Sequence, residues 1–117
     1  MSAFIDDLKD RGLLEHTLII TLGEFGRTPQ INSSLGRDHF ASAWSSSLSG
    51  CGVKGGVAFG KTDADGHKVK DDEVGAGDLF ATILSAVGVD PLKEYFQGQR
   101  PIPLSDFGAK PIKDVLA

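Results

Sequence analysis

The sequence has little of what builds covalent, membrane-spanning or nucleic-acid-binding frameworks. Among 117 residues there is one cysteine, Cys51, which excludes an intrachain disulfide and any zinc site made of several cysteines. No apolar run approaches the roughly 18 residues that a membrane helix needs, and no signal peptide is visible at the start. A net charge of −4 lacks the basic excess expected of a nucleic-acid-binding module. These absences predict a globular chain with neither nucleic acid nor membrane as its partner, and they leave its localisation open.

What the chain does have is glycine, with 15 residues, and segments of helical and of strand-like pattern. Helical spacing of apolar residues predicts helices over residues 3–11 and 78–87. The expected N-caps are Ser2 and Asp78, and the expected stops are Gly12 and Gly88. The β-branched run "HTLIITLG" predicts a strand over residues 17–22, buried on both faces as in a parallel sheet.

Shorter elements are expected elsewhere: one or two strands within residues 43–59, a hairpin tip at Asp65-Gly66, a strand near residues 102–104 and a helical turn at residues 112–116. The length favours one domain over residues 1–117. A helix followed closely by a buried strand is half of a βαβ unit, so the predicted fold class is α/β.

The segment "GEFGRTPQINSSLGRDHF", residues 23–40, contains the candidate metal-binding and anion-binding residues. Glu24 directly follows the predicted strand, at the sheet edge where α/β proteins bind ligands, and Asp38 and His39 close the segment. Carboxylate and imidazole groups suit zinc, manganese or calcium, so we expect a divalent metal bound by Glu24, Asp38 and His39. The alternative is that Glu24 lies on the surface and that Asp38 caps a turn beside a solvated His39.

Two arginines flank the same segment. Arg27 and Arg37 each offer a planar fork of donors suited to phosphate or sulfate, which predicts an anion site. The alternative is that they pair with Glu24 or Asp38 and fix the loop. Both interpretations can hold together.

Other candidate groups point to structure rather than chemistry. His16 and His67 are expected to be solvated, and Cys51 to be an inert thiol. The run "DADGHKVKDDE" has the composition of a calcium loop but lacks the full spacing and the closing glutamate. No catalytic nucleophile is assigned.

Three stretches carry a family resemblance: "DDLKDRGLLEHTLIITLGEFGRTPQIN", "GRDHFASAWSSSLSGCGVKGGVAFGKTDADG" and "GAKPIKDVL". They resemble the C-terminal part of a bacterial protein family in the alkaline phosphatase and sulfatase superfamily, over nearly the whole chain. The resemblance implies a partial sheet of that superfamily with flanking helices, incomplete without upstream segments. It implies that Glu24 is a metal-binding acid and His39 the later metal-binding histidine. Asp38, Arg27 and Arg37 match only the family's own pattern.

The resemblance also shows two departures. Superfamily members carry His or Asn after the metal-binding acid, whereas this chain carries Phe25, which cannot bind metal. Their nucleophile and first metal-binding acid lie on upstream segments without a counterpart here. The chain is therefore expected to be the C-terminal piece of a phosphate or sulfate ester hydrolase-like domain and to be inactive alone. The alternative is a non-catalytic scaffold or oligomerising module. Either reading implies a partner: a second copy of the chain, or the upstream half of the parent domain.

Overall fold

The computed structural model describes all residues, 1–117. In chain order the elements are α1 (Ser2–Asp10), β1 (Leu18–Leu22), β2 (Gly26–Arg27), β3 (His39–Phe40), β4 (Ser46–Gly50), β5 (Lys61–Thr62), β6 (Val69–Asp71), α2 (Ala76–Ala86), β7 (Glu94–Gln97) and β8 (Arg100–Pro103). Single 3-10 turns lie at Leu14–His16 and Lys113–Val115. Neither α-helix is long and apolar enough to cross a bilayer.

Both predicted helices are present, and both end at the predicted glycines. Gly12 and Gly88 adopt φ angles of 66° and 77°, which a side chain would strain. After α1, Gly12 N donates to the carbonyl of Lys9 and the next residue donates to that of Leu8. That pair of hydrogen bonds is the Schellman ending, which satisfies carbonyls that the helix leaves free.

The predicted N-caps of these helices are wrong. Ser2 is the first residue inside α1, whose N-cap is Met1, and α2 begins after Gly75. Asp78 is instead inside α2, where its Oδ1 accepts a hydrogen bond from Lys110 N at 2.8 Å. The carboxylate holds a segment distant in sequence rather than its own helix end.

The strands form four two-stranded sheets: β1 with β4, β2 with β3, β5 with β6, and β7 with β8. The α/β assignment therefore holds in its coarse sense, as helices mixed with small sheets. The expectation that β1 is buried on both faces is wrong, since the side chains of Ile20 and Leu22 are 37% and 53% exposed. The physical reason is that β1 pairs with one strand alone, so no wider sheet covers its apolar residues.

The β5–β6 and β7–β8 hairpins turn at glycines. The predicted tip at Asp65-Gly66 lies between β5 and β6, which pair antiparallel. The β7–β8 hairpin turns at Gly98, with φ of 65°, and only its second strand was predicted. Its first strand, "EYFQ", has only four residues, and its apolar and polar side chains do not alternate. The sequence therefore does not distinguish it from a loop.

The chain divides into two compact units. The first comprises residues 1–19, 49–57 and 74–117, and the second comprises residues 20–48 and 58–73. All the buried residues lie in the first unit: Ala81, Thr82, Ala86 and Ser105. In the second unit no residue is buried, so its conformation depends on hydrogen bonds and partial contacts.

Candidate functional site

A small antiparallel ladder closes the polar segment that the sequence singled out. Gly26 faces Phe40, and Arg27 faces His39. A Cβ on Gly26 would collide with the carbonyl oxygen of Ala43 and lie 3.0 Å from that of Phe40. Glycine at position 26 therefore lets two backbones approach, and this approach sets Arg27 and His39 side by side.

Asn32 organises the loop between these strands. Its Oδ1 accepts hydrogen bonds from Ser34 N at 3.0 Å and Gly36 N at 2.9 Å, and its Nδ2 donates to Asp38 Oδ1 at 2.8 Å. Asparagine is suited to this because its amide mimics a backbone turn. Residues 32–38 are thus a closed loop held by its own hydrogen bonds.

The arginines fix the loop, but not by the predicted pairing with carboxylates. Arg37 Nη1 donates to the carbonyls of Thr28 and Pro29 at 2.7 and 2.6 Å. Arg27 Nη1 donates to the carbonyl of Arg37 at 3.2 Å. The ion pair of the chain joins Asp7 to Arg11, within α1. Neither arginine is neutralised, so each retains positive charge and free N–H donors at the surface.

An aromatic stack supports His39. The rings of Phe25 and His39 are stacked with centroids 3.7 Å apart, and the guanidinium carbon of Arg27 lies 5.3 Å from the Phe25 centroid. Phe25 thus packs against the imidazole of His39 and orients it. The stack gathers a cation and an imidazole on one exposed face of the hairpin.

The predicted metal ligands do not form a cluster. No group of three or more His, Cys, Asp or Glu side chains is arranged to hold a metal ion. Glu24 lies in a bend just past β1, exposed and without a hydrogen-bonded partner, and Asp38 is engaged by Asn32. The structure thus joins Arg27, Arg37 and His39, but not Glu24, Asp38 and His39 as a three-ligand set. Metal binding stays a prediction.

The β5–β6 hairpin contributes a histidine that was expected to be solvated. His67 is half-buried, its Nε2 lies 2.7 Å from Gln30 Nε2, and its ring meets Phe40 edge-on at 6.4 Å. His67 N donates to Asp63 Oδ1 at 2.8 Å, and this hydrogen bond to the charged form lowers the pKa of the Asp63 carboxyl. Asp63 is therefore a turn-forming residue, and no signal in the sequence pairs Gln30 with His67.

A separate cavity of 420 Å³ lies in the first unit. It is an open groove between the start of α2 and the segment after β8, with Phe80 and Phe107 among its lining residues. None of the five predicted site residues lines it. Its walls combine these apolar side chains with the polar Ser105 and Asp106.

The comparisons with known proteins give a family but no activity. A family model described as "Protein of unknown function (DUF1501)" matches residues 1–116. The chain belongs to the DUF1501 family. No curated protein and no solved structure matches it. The matched residues include the hairpin with Arg27 and His39. The match does not connect the chain to the alkaline phosphatase superfamily, so that resemblance stays a prediction.

Proposed function

We propose that the chain is the C-terminal portion of a metal-dependent phosphate or sulfate ester hydrolase-like domain. In this proposal it supplies the metal-proximal and anion-binding half of the site. Residues outside these 117 supply the nucleophile and the first metal-binding acid. The chain is then inactive by itself, and its sheet completes a larger one of alkaline phosphatase type.

The observation that carries the proposal is the β2–β3 register. It sets Arg27 opposite His39, with both side chains exposed. Residues directly opposite on an antiparallel pair have Cβ atoms about 4.5–5.5 Å apart. An imidazole ligand and an anion-binding guanidinium are therefore neighbours, as the hydrolysis of a charged ester with a metal requires.

Two of the predicted metal ligands are available to bind a metal. The imidazole of His39 and the carboxylate of Glu24 are exposed and have no hydrogen-bonded partner, so both are free to bind, whereas Asp38 has one oxygen held by Asn32. A bound metal would supply Lewis-acid chemistry to the ester. The role of Arg27 is to hold the negative charge of the transferring group, since its guanidinium is not neutralised by a carboxylate.

Calorimetric titration with zinc tests the metal arm. The wild-type chain should bind zinc, and His39→Ala should weaken that affinity at least tenfold. His16→Ala is the matched control, because His16 is also exposed but lies in the 3-10 turn before β1. Equal zinc affinity in the wild type and His39→Ala would overturn the metal assignment.

Titration with inorganic phosphate tests the anion arm. Arg27→Lys keeps the positive charge but loses the planar fork, so phosphate affinity should fall several-fold. Arg27 is preferred to Arg37 for this test, since Arg37 donates to two loop carbonyls and its loss would disturb the fold. Equal phosphate affinity in the wild type and Arg27→Lys would contradict the role of Arg27 in anion binding.

A non-catalytic scaffold is the second candidate. The observation that favours it is the absence of a three-ligand cluster together with the sparse burial of apolar side chains. Under this alternative neither zinc nor phosphate binds, and the chain acts through its surfaces. The two titrations therefore separate the candidates.

A further inference from the structure

The β7–β8 hairpin is built with two unlike edges. Its register pairs Glu94 with Pro103, Tyr95 with Ile102, Phe96 with Pro101 and Gln97 with Arg100. Leu104 N donates to the carbonyl of Lys93 at 3.1 Å. This bond shows which residues of the ladder point their backbone N–H and C=O groups toward the partner strand of the hairpin. By the alternation of an antiparallel ladder, Tyr95 and Ile102 face each other, and their neighbours along each strand point their backbone groups outward.

On β8 the two outward-facing residues are Pro101 and Pro103. Proline has no N–H, so this edge offers no donor to another strand. On β7 the outward-facing residues are Glu94 and Phe96, and no backbone hydrogen bond beyond the hairpin engages either of them. One edge is blunted against strand pairing, and the other is open to it.

Both faces of the hairpin carry apolar side chains that are exposed to water. Every residue of β7 and β8 is exposed, and Phe96, Tyr95 and Ile102 keep 67%, 54% and 43% of their surface in water. A two-stranded hairpin is marginally stable by itself. A wider sheet would give this one the strand neighbours and the apolar cover that it lacks.

The surface of the chain is larger than its mass requires. It exposes 8598 Å², whereas a compact monomer of 12.4 kDa exposes about 6,100 Å². Even two separate bodies of the sizes of the two units would together expose about 7,400 Å². The remaining excess of about 1,200 Å² exceeds the roughly 800 Å² that each partner buries in a stable interface.

We propose that β7 is the docking edge for a second copy of this chain, through antiparallel pairing with the β7 of that copy. Placing Tyr95 opposite Tyr95 about a two-fold axis sets Glu94 of each copy opposite Phe96 of the other. Each such pair exchanges two backbone hydrogen bonds, so the interface contains four. No like charges oppose each other in this register. The resulting sheet runs β8, β7, β7, β8.

The prolines then limit the assembly to two copies. Both outer edges of the four-stranded sheet are β8 strands, whose outward positions are Pro101 and Pro103. These edges cannot template a further strand, so the interface closes as a dimer instead of extending into a fibre. The inference is independent of the proposed hydrolase-like function.

Sedimentation equilibrium of the 117-residue chain tests the proposal. The wild type should be a dimer at micromolar concentration. Phe96→Pro removes the outward N–H on both copies but no bond inside the hairpin, and it should raise the dimer dissociation constant at least tenfold. Phe96→Ala keeps the N–H and loses only the ring, so it should weaken the dimer less than Phe96→Pro does.

Pro101→Ala is the matched control on the blunted edge, and it should leave the dimer constant unchanged. Amide exchange gives a second readout, since exchange at Glu94 and Phe96 should slow as protein concentration rises. Circular dichroism verifies that each variant retains its fold. A wild-type chain that stays monomeric at high concentration, or a dimer that Phe96→Pro leaves intact, overturns the proposal.

Discussion

The two compact units of the chain are stabilised by different kinds of interaction. The first unit contains the buried residues, with α2 as its centre, and the second contains none. In the second unit, Asn32, Arg37 and Thr28 hold the backbone through side-chain hydrogen bonds. Burial of apolar surface is non-directional, whereas a net hydrogen bond contributes about 1 kcal/mol only when its geometry is kept. The unit that carries the candidate site is thus the one that depends more on particular side chains.

The chain offers a separate optical probe for each unit. Its single tryptophan, Trp44, lies in the second unit, and its single tyrosine, Tyr95, lies in the first. Fluorescence of Trp44 and of Tyr95 during denaturation therefore reports the two units separately. The following predictions use this difference.

The largest effect is expected from Gly26→Ala. The added Cβ meets backbone oxygens, which cannot move away as a flexible side chain would. We expect the second unit to lose about 3 kcal/mol or more, seen as a lower denaturation midpoint of Trp44 fluorescence. Gly36→Ala is the control in the same loop, because its Cβ would meet only ordinary contacts with the Asn32 side chain at 3.6 Å. Equal midpoints for the two variants would contradict the close backbone approach at Gly26.

The first unit should be most sensitive at Thr82. This side chain is fully buried, its Oγ1 donates to the carbonyl of Asp78 at 2.6 Å, and it accepts from Ile112 N at 2.9 Å. Thr82→Val keeps the shape but leaves the Ile112 N–H unsatisfied. We expect a loss of about 1–3 kcal/mol, measured by Tyr95 fluorescence and circular dichroism.

Thr62→Val is the control for Thr82→Val, since Thr62 lies on the exposed strand β5 and its hydroxyl makes no hydrogen bond. It should leave the midpoint within about 0.5 kcal/mol. If Thr82→Val unfolds like the wild type, the bond between α2 and the C-terminal segment does not contribute to stability.

A smaller and local effect is expected from Asn32→Ala. The loop would lose the acceptor for Ser34 N and Gly36 N and the donor to Asp38. Since the loop is largely exposed, the cost should be about 1 kcal/mol and confined to the loop. Hydrogen exchange at residues 33–38 should accelerate several-fold, while exchange in α2 stays unchanged. Ser33→Ala, which removes a side chain without a hydrogen bond, should leave both rates as they are.

The sequence predicted those features that depend on neighbours along the chain. Helices α1 and α2, their glycine stops, strand β1 and the Asp65-Gly66 tip all follow from local spacing and turn chemistry. The failures arise where a distant segment decides the outcome. Asp78 has the residue type of an N-cap, yet its partner is Lys110. The apolar run of β1 predicts a strand buried on both faces, although β1 pairs with one strand alone.

The candidate site was predictable in its residue types but not in its partners. Arginines flanking a loop predict anion binding or pairing with carboxylates, since charge is the property visible in the sequence. The choice of backbone carbonyls by Arg37 depends on how the loop closes. Likewise, the stacking of Phe25 on His39 follows from the β2–β3 register, which no local pattern specifies.

The smallest expected effect is the acid sensitivity of the β5–β6 turn. The pKa of the Asp63 carboxyl is lowered from 3.8, first by the hydrogen bond from His67 N and further by backbone N–H groups of Lys68 and Gly66 and by the charge of His67. A depressed folded pKa means that the unfolded chain binds the proton first, so this contribution is present above about pH 4 and is lost as the pH falls further. Because pH acts on the whole chain, the informative quantity is a difference between variants. Asp63→Asn should make the decline of the Trp44 unfolding midpoint between pH 5 and pH 3 shallower than in the wild type.

Asp65→Asn is the control, because Asp65 is an exposed neighbour whose side chain makes no hydrogen bond. This variant should keep the wild-type slope. Identical slopes in all three proteins would show that ionisation of Asp63 does not contribute to the stability of the turn.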